Sequence, residues 1–204
     1  SSRTMGWPSR VVKVAAGASQ EAPLPAGNTV CAPSRCTLMT GRHSGHARTR
    51  SNVQVPLTPD DVTLAEVLKP AGYFTAMTGK WHVGQNFGVT PWGRGFDRSL
   101  NAAAGGFYFP GSAKAILFLN GEPIANNDPR LPQDWYSTDL WTGFGLKFID
   151  EALAEKKPFY LHLCHNAPHF PLQAPAEDIG RFRGRYKMGW GAVRDRRYAR
   201  QIEL

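Results

Sequence analysis

The chain has 204 residues and a mass of 22.5 kDa, enough for one domain and too short for two comfortable ones. Apolar residues make up 42% and charged residues 20%, which excludes a disordered polyelectrolyte; no apolar run is long enough for a membrane span, and three cysteines exclude a disulfide framework. The net charge of +8 sits at the two ends, with seven Lys/Arg against Glu21 alone in residues 1–50 and eight against Asp195 and Glu203 in residues 181–204; lacking aromatic–basic interleaving, these ends read as solvated, with no nucleic acid as partner.

Residues 1–27 read as irregular, rich in Gly, Pro, Ala and Ser, without the continuous apolar stretch of a signal peptide. A short helix is expected over residues 33–40, with Pro33 at its first turn. Pro59-Asp60-Asp61 reads as a helix-start pair leading into apolar positions 62, 64, 67 and 68, with Gly72 as the stop. Residues 73–77 form a β-prone run. Residues 115–119, followed by Asn120-Gly121 and Pro123-Ile124, predict a hairpin. The apolar spacing over residues 139–154 predicts an amphipathic helix ended by Pro158, and residues 159–164 predict a strand entering the loop HNAPHFPLQAP. Helices alternating with strands give an α/β class with a partly parallel sheet.

The first chemical motif runs Val30-Cys-Ala-Pro-Ser-Arg-Cys-Thr-Leu-Met-Thr-Gly-Arg42. Three readings compete for it. Cys31, Cys36, His43 and His46 would offer zinc ligands, although the central spacer is far shorter than in familiar finger sites. A small buried Cys ahead of a Pro-started helix would account for Cys31 but not for Ser34 and Arg35. A nucleophile at a helix N-terminus would gain from free backbone N–H groups, the helix dipole and the Arg35 cation.

Cys31-Ala-Pro-Ser-Arg35, continuing into Leu38-Met-Thr-Gly-Arg42, resembles the first signature of the type I sulfatases. Gly72-Tyr-Phe-Thr-Ala-Met-Thr-Gly-Lys-Trp-His82 is similar to their second signature. Lys157-Pro-Phe-Tyr-Leu-His-Leu-Cys-His-Asn-Ala-Pro-His-Phe-Pro171 resembles their His-bearing strand and loop. The resemblance covers residues 28–182 and implies an alkaline-phosphatase-like fold, present in part: a mixed, largely parallel sheet flanked by helices. On that basis residues 28–204 are expected to be a partial catalytic domain, with residues 1–27 unlike the family.

The resemblance also implies an activity, the hydrolysis of a sulfate monoester of an aryl alcohol or carbohydrate. Cys31 would be converted to formylglycine by a formylglycine-generating enzyme reading Cys31, Pro33 and Arg35, and its hydrate would be the nucleophile. Arg35 would hold the hydrate. Lys80 would contact the sulfate and the ester oxygen. His82, on the same side of an extended strand as Lys80, would accept the hydrate's second proton. His169 would bind sulfate and face the leaving oxygen as general acid. His162 and His165 receive no role. The family implies a divalent cation, usually Ca2+, held by carboxylate and amide oxygens together with the formylglycine oxygen of Cys31. Residues 1–30 contain no Asp, and no later Asp-Asn pair appears, so the chain reads as the internal part of a sulfatase without its carboxylate metal ligands. The resemblance points to a periplasmic, secreted or lysosomal setting. A phosphate or phosphonate ester hydrolase of the same superfamily, or a non-catalytic remnant, is the alternative.

Overall fold

The computed structural model describes residues 27–52, 55–85 and 88–203. In chain order the elements are α1 (Cys31–Thr40), α2 (Leu64–Leu68), β1 (Phe74–Lys80), β2 (Arg98–Ala102), β3 (Leu117–Leu119), β4 (Glu122–Ile124), α3 (Ser137–Ala154), β5 (Phe159–Cys164), α4 (Ala176–Phe182) and α5 (Gly189–Ile202). The strands form one mixed sheet in the order β4-β3-β2-β1-β5. β1 runs parallel to both β2 and β5, while β2–β3 and β3–β4 are antiparallel. This is the α/β architecture expected from the alternating pattern.

All seven residues of β1 are buried, because helices cover both faces of the sheet at this strand. The pleat sends Phe74 and Ala76 towards α3, where they meet Leu100, Leu117, Trp141, Phe144 and Phe148. Met77 points the other way, into a second core with Cys36 and Met39 of α1, Leu57, Ala65, Trp81 and Phe96. Near its end β1 needs a glycine. Gly79 has φ +100, and a Cβ there would sit 1.9 Å from the Cys164 carbonyl oxygen of β5. The missing side chain is what lets the two strands pair.

The hairpin forms where the sequence puts it, with Asn120 (φ 50) and Gly121 (φ 88) as its two left-handed turn residues. β5 matches its expected bounds, and α3 starts two residues before the expected position. The acidic pair does not start a helix. Thr63 caps α2, accepting from Glu66 N–H while Glu66 reaches back to Thr63 N–H. Asp61 is instead wholly buried, accepting from Arg48 Nε (2.6 Å), Arg42 Nη1 (3.3 Å) and both Thr58 donors (2.9 and 3.0 Å). Burial alone would raise its pKa, but these hydrogen bonds win and hold the carboxyl below its usual value. Two further elements, α4 and α5, carry no buried residue. The expectation for residues 1–27 lies outside the described residues apart from Gly27.

Gly79→Ala should destabilise the fold by about 4 kcal/mol or more, because it adds a backbone clash to a conformation only glycine adopts easily. Urea denaturation of the full-length protein would show this as a fall in midpoint. A change under about 1 kcal/mol would mean that β5 can shift away without cost.

Candidate active site

Three segments converge at the C-terminal end of β1. α1 presents its N-terminal end there, carrying half-buried Cys31 and, one turn further along the same face, half-buried Arg35. Arg35 reaches across to the end of β1, where Nη1 donates to the Lys80 carbonyl (2.5 Å). Lys80 closes the strand and is 3% exposed. Burial pushes its pKa down, the facing Cys31 sulfur opposes that by charge and hydrogen bonding, and Arg35 lowers it further. An ammonium without solvent beside a guanidinium gains most from an anion placed between them.

The polypeptide leaves the extended conformation after Lys80. His82 has φ +61, and its N–H donates to the Ala103 carbonyl (3.0 Å) beyond β2. The expectation of strand alternation through residue 82 is therefore corrected: a left-handed residue, not a pleat, turns this imidazole into the cluster. Burial pushes its pKa down to about 4, with Lys80, Arg35 and His169 adding repulsion. His82 is neutral at pH 7 and can accept a proton.

His169 arrives from the loop after β5 and is exposed. Its Nδ1 lies 2.6 Å from the Phe170 carbonyl, which only accepts, so Nδ1 carries a proton and Nε2 is left for a ligand. Tyr108 Oη donates to the His169 carbonyl (2.7 Å), and Asn166 Nδ2 donates to the Phe107 carbonyl (2.8 Å). The loop after β2 thus straps down the loop after β5. Gly105 lies between two candidate residues: a Cβ there would meet the His169 ring at 3.4 Å and Lys80 Cδ at 3.5 Å.

The structure brings Cys31, Arg35, Lys80, His82 and His169 near one another at the end of β1. It does not gather the zinc candidates: Cys36 is buried in the core, and the described residues contain no group of three His, Cys, Asp or Glu able to hold a metal ion. The cluster does not fit the divalent cation either. Two cations and two imidazoles offer a hard ion no carboxylate, and the Asn52 amide oxygen beside Cys31 is already taken up by the Cys31 thiol and the Ala32 N–H. His162 is buried in β5, its ring 6.3 Å from those of Phe96 and Tyr160, with its pKa pushed down to about 4 chiefly by burial. It is a packing residue. Asn52, Gly105 and Tyr108 have no motif around them and were not legible in the sequence.

The sulfatase family model matches residues 24–203. An arylsulfatase of Klebsiella aerogenes is 34% identical over 189 residues, covering 83% of this chain and 39% of that protein. N-acetylgalactosamine-6-sulfatase of Mus musculus is 29% identical, covering 78% of this chain and 35% of its own length. Among solved structures, Ps i-CgsB in complex with k-i-k-neocarrahexaose aligns with TM-score 0.64 and 32% identity, over 78% of this chain and 39% of that one. BT4656 in complex with its substrate D-glucosamine-2-N,6-O-disulfate aligns with TM-score 0.61 and 27% identity, over 77% and 28%. The chain therefore spans well under half the length of these relatives. Its sheet, flanked by helices, is part of the alkaline-phosphatase-like fold of its sulfatase neighbours, and the chain belongs to the sulfatase family.

Proposed function

We propose that this chain carries the nucleophile-bearing half of a sulfatase site that hydrolyses the sulfate monoester of a carbohydrate or aryl alcohol, with residues 28–204 a partial catalytic domain and Cys31 acting as formylglycine. The observation that supports it most is the placement of Cys31 at the start of α1, facing the desolvated Lys80 ammonium with Arg35 one turn along the same helix face. A sulfated sugar as substrate of one structural neighbour supports the substrate class. Conversion of Cys31 would need a formylglycine-generating enzyme as partner. Carboxylate ligands for the family's cation, Ca2+ in the usual case, would come from outside the described residues.

Formylglycine at position 31 would supply, as its hydrate, one hydroxyl to attack sulfur and a second whose deprotonation later expels sulfate. Lys80 binds the sulfate and neutralises charge on the ester oxygen as the S–O bond breaks, while Arg35 holds the hydrate and adds to the positive charge of the site. With Nδ1–H held by the Phe170 carbonyl, His169 acts in its doubly protonated form: Nε2–H donates to the sulfate and passes that proton to the departing alcohol. His82 is neutral and takes the proton that leaves the second hydroxyl. The Arg35 guanidinium and the His169 ring are each held by a backbone carbonyl already in place, so these two groups need little reorganisation during the reaction.

Lys80→Ala and His169→Ala, made in a full-length protein with Cys31 converted, should each lower kcat by about a hundred- to a thousand-fold with far smaller changes in KM. The leaving group separates the two. An acidic phenol needs little protonation, so His169→Ala should slow an aryl sulfate much less than a sugar sulfate, while Lys80→Ala should slow both. Equal slowing by His169→Ala would leave that residue as a sulfate-binding group only. Cys31 left as a thiol by the formylglycine-generating enzyme, or full activity of Cys31→Ala, would refute the function itself.

The pH profile tests His82 separately. A base with its pKa near 4 stays competent where free imidazole, at about 6.5, is already protonated. The acid limb of kcat/KM assigned to His82 should therefore fall as pH drops through about 4, not through 6.5. A midpoint near 6.5 that disappears in His82→Gln would show the site to be more solvated than this geometry implies.

A further inference from the structure

We propose that Asn52 positions the nucleophile, a role that rests on the functional reading above for its catalytic consequence but on geometry for its existence. Helix α1 begins without a local cap: Val30 occupies the N-cap position and has no side chain able to accept a hydrogen bond. Asn52, 20 residues beyond Ala32, fills that role from another loop. Its Oδ1 accepts from the Ala32 N–H (3.1 Å) and lies 3.4 Å from Cys31 Sγ.

The double contact fixes the chemistry. A backbone N–H can only donate, so the atom facing Ala32 is the amide oxygen and not Nδ2. The same oxygen then leaves the Cys31 thiol one option, to donate. Lys80 faces the same sulfur and can only donate to it. Side chain 31 is thus held between an acceptor and a cation. After conversion, a hydroxyl of the hydrate takes the place of the thiol as the donor to Oδ1, which keeps one hydroxyl occupied and orients the other. One backbone N–H that the bare helix terminus would offer to an anion is spent on this bond, so the anion's charge falls to Arg35 and Lys80.

The test uses a full-length protein in two states. In protein made without the formylglycine-generating enzyme, Asn52→Ala should speed iodoacetamide alkylation of Cys31 at pH 7 by about threefold, because the thiol loses its acceptor while Arg35 and Lys80 remain. In converted protein, with equal conversion verified by peptide mass spectrometry, Asn52→Ala should lower kcat on an aryl sulfate by about ten- to a hundred-fold with KM within about twofold. Asn52→Asp keeps an acceptor oxygen and should recover most of kcat, while its charge, opposing the sulfate, raises KM. Equal alkylation rates in wild type and Asn52→Ala would overturn the proposal. So would a loss of kcat that tracks a lowered unfolding temperature and is not recovered by Asn52→Asp. Wild-type protein that is converted but hydrolyses no sulfate ester would refute the sulfatase reading alone, and the alkylation rates would still decide the role of Asn52.

Discussion

β1 is hydrogen-bonded along both edges, covered on both faces, and ends in a lysine that the same packing removes from water. Every other feature of the candidate site answers to that arrangement. A buried ammonium costs several kcal/mol unless an anion or a set of acceptors meets it. Here it meets the Cys31 sulfur and a second cation, Arg35, whose guanidinium bonds the carbonyl of Lys80 itself. The site is therefore built in deficit of negative charge. The sulfate ester proposed as substrate would bring one negative charge, keep it through S–O cleavage and so offset part of the deficit.

The first turn of α1 is held by residues far from it in sequence. Cys36 and Met39 anchor the helix in the core beside Met77 and Trp81, and Asn52 caps it from outside. The loop following α1 is fixed by Arg42 and Arg48 converging on buried Asp61, whose own carbonyl accepts from Arg94 Nη2 (2.5 Å). Arg94 in turn binds Glu66 Oε1 (2.8 Å), the residue that completes the cap of α2. This polar chain gives the signature helix a rigid seat without lengthening it. On the far side, Tyr108 and Asn166 do the same for the His169 loop.

Much of the fold was legible because its cues are local. Asn120-Gly121 between short apolar runs specifies a hairpin turn, and the apolar spacing over 139–154 specifies a helix face. β2 was not legible. Its sequence, Arg98-Ser-Leu-Asn-Ala102, has no strong β pattern, and it is a strand because β1 and β3 supply partners on both sides. The same holds for Asp60-Asp61, whose composition suits a helix start but whose second member finds two arginines closer at hand. α4 and α5 bury nothing: their large apolar side chains, Ile179, Phe182, Trp190, Tyr198 and Ile202, stand exposed.

The sequence by itself determined which chemical groups are present and in what order: a Cys with Pro and Arg at fixed offsets, a Lys two residues before a His, and a His between prolines. Those spacings suffice for the family, because they are short-range and each fits one signature. The tertiary structure decided how the groups face one another. Lys80 and His82 meet through a left-handed turn that no alternation rule supplies, and Lys80 and His169 meet across Gly105, a residue without a side chain. The acceptor on Cys31 is an asparagine 21 positions away. Contacts of this kind depend on chain segments brought together by burying two apolar cores, and burial is a property of the whole fold rather than of any motif.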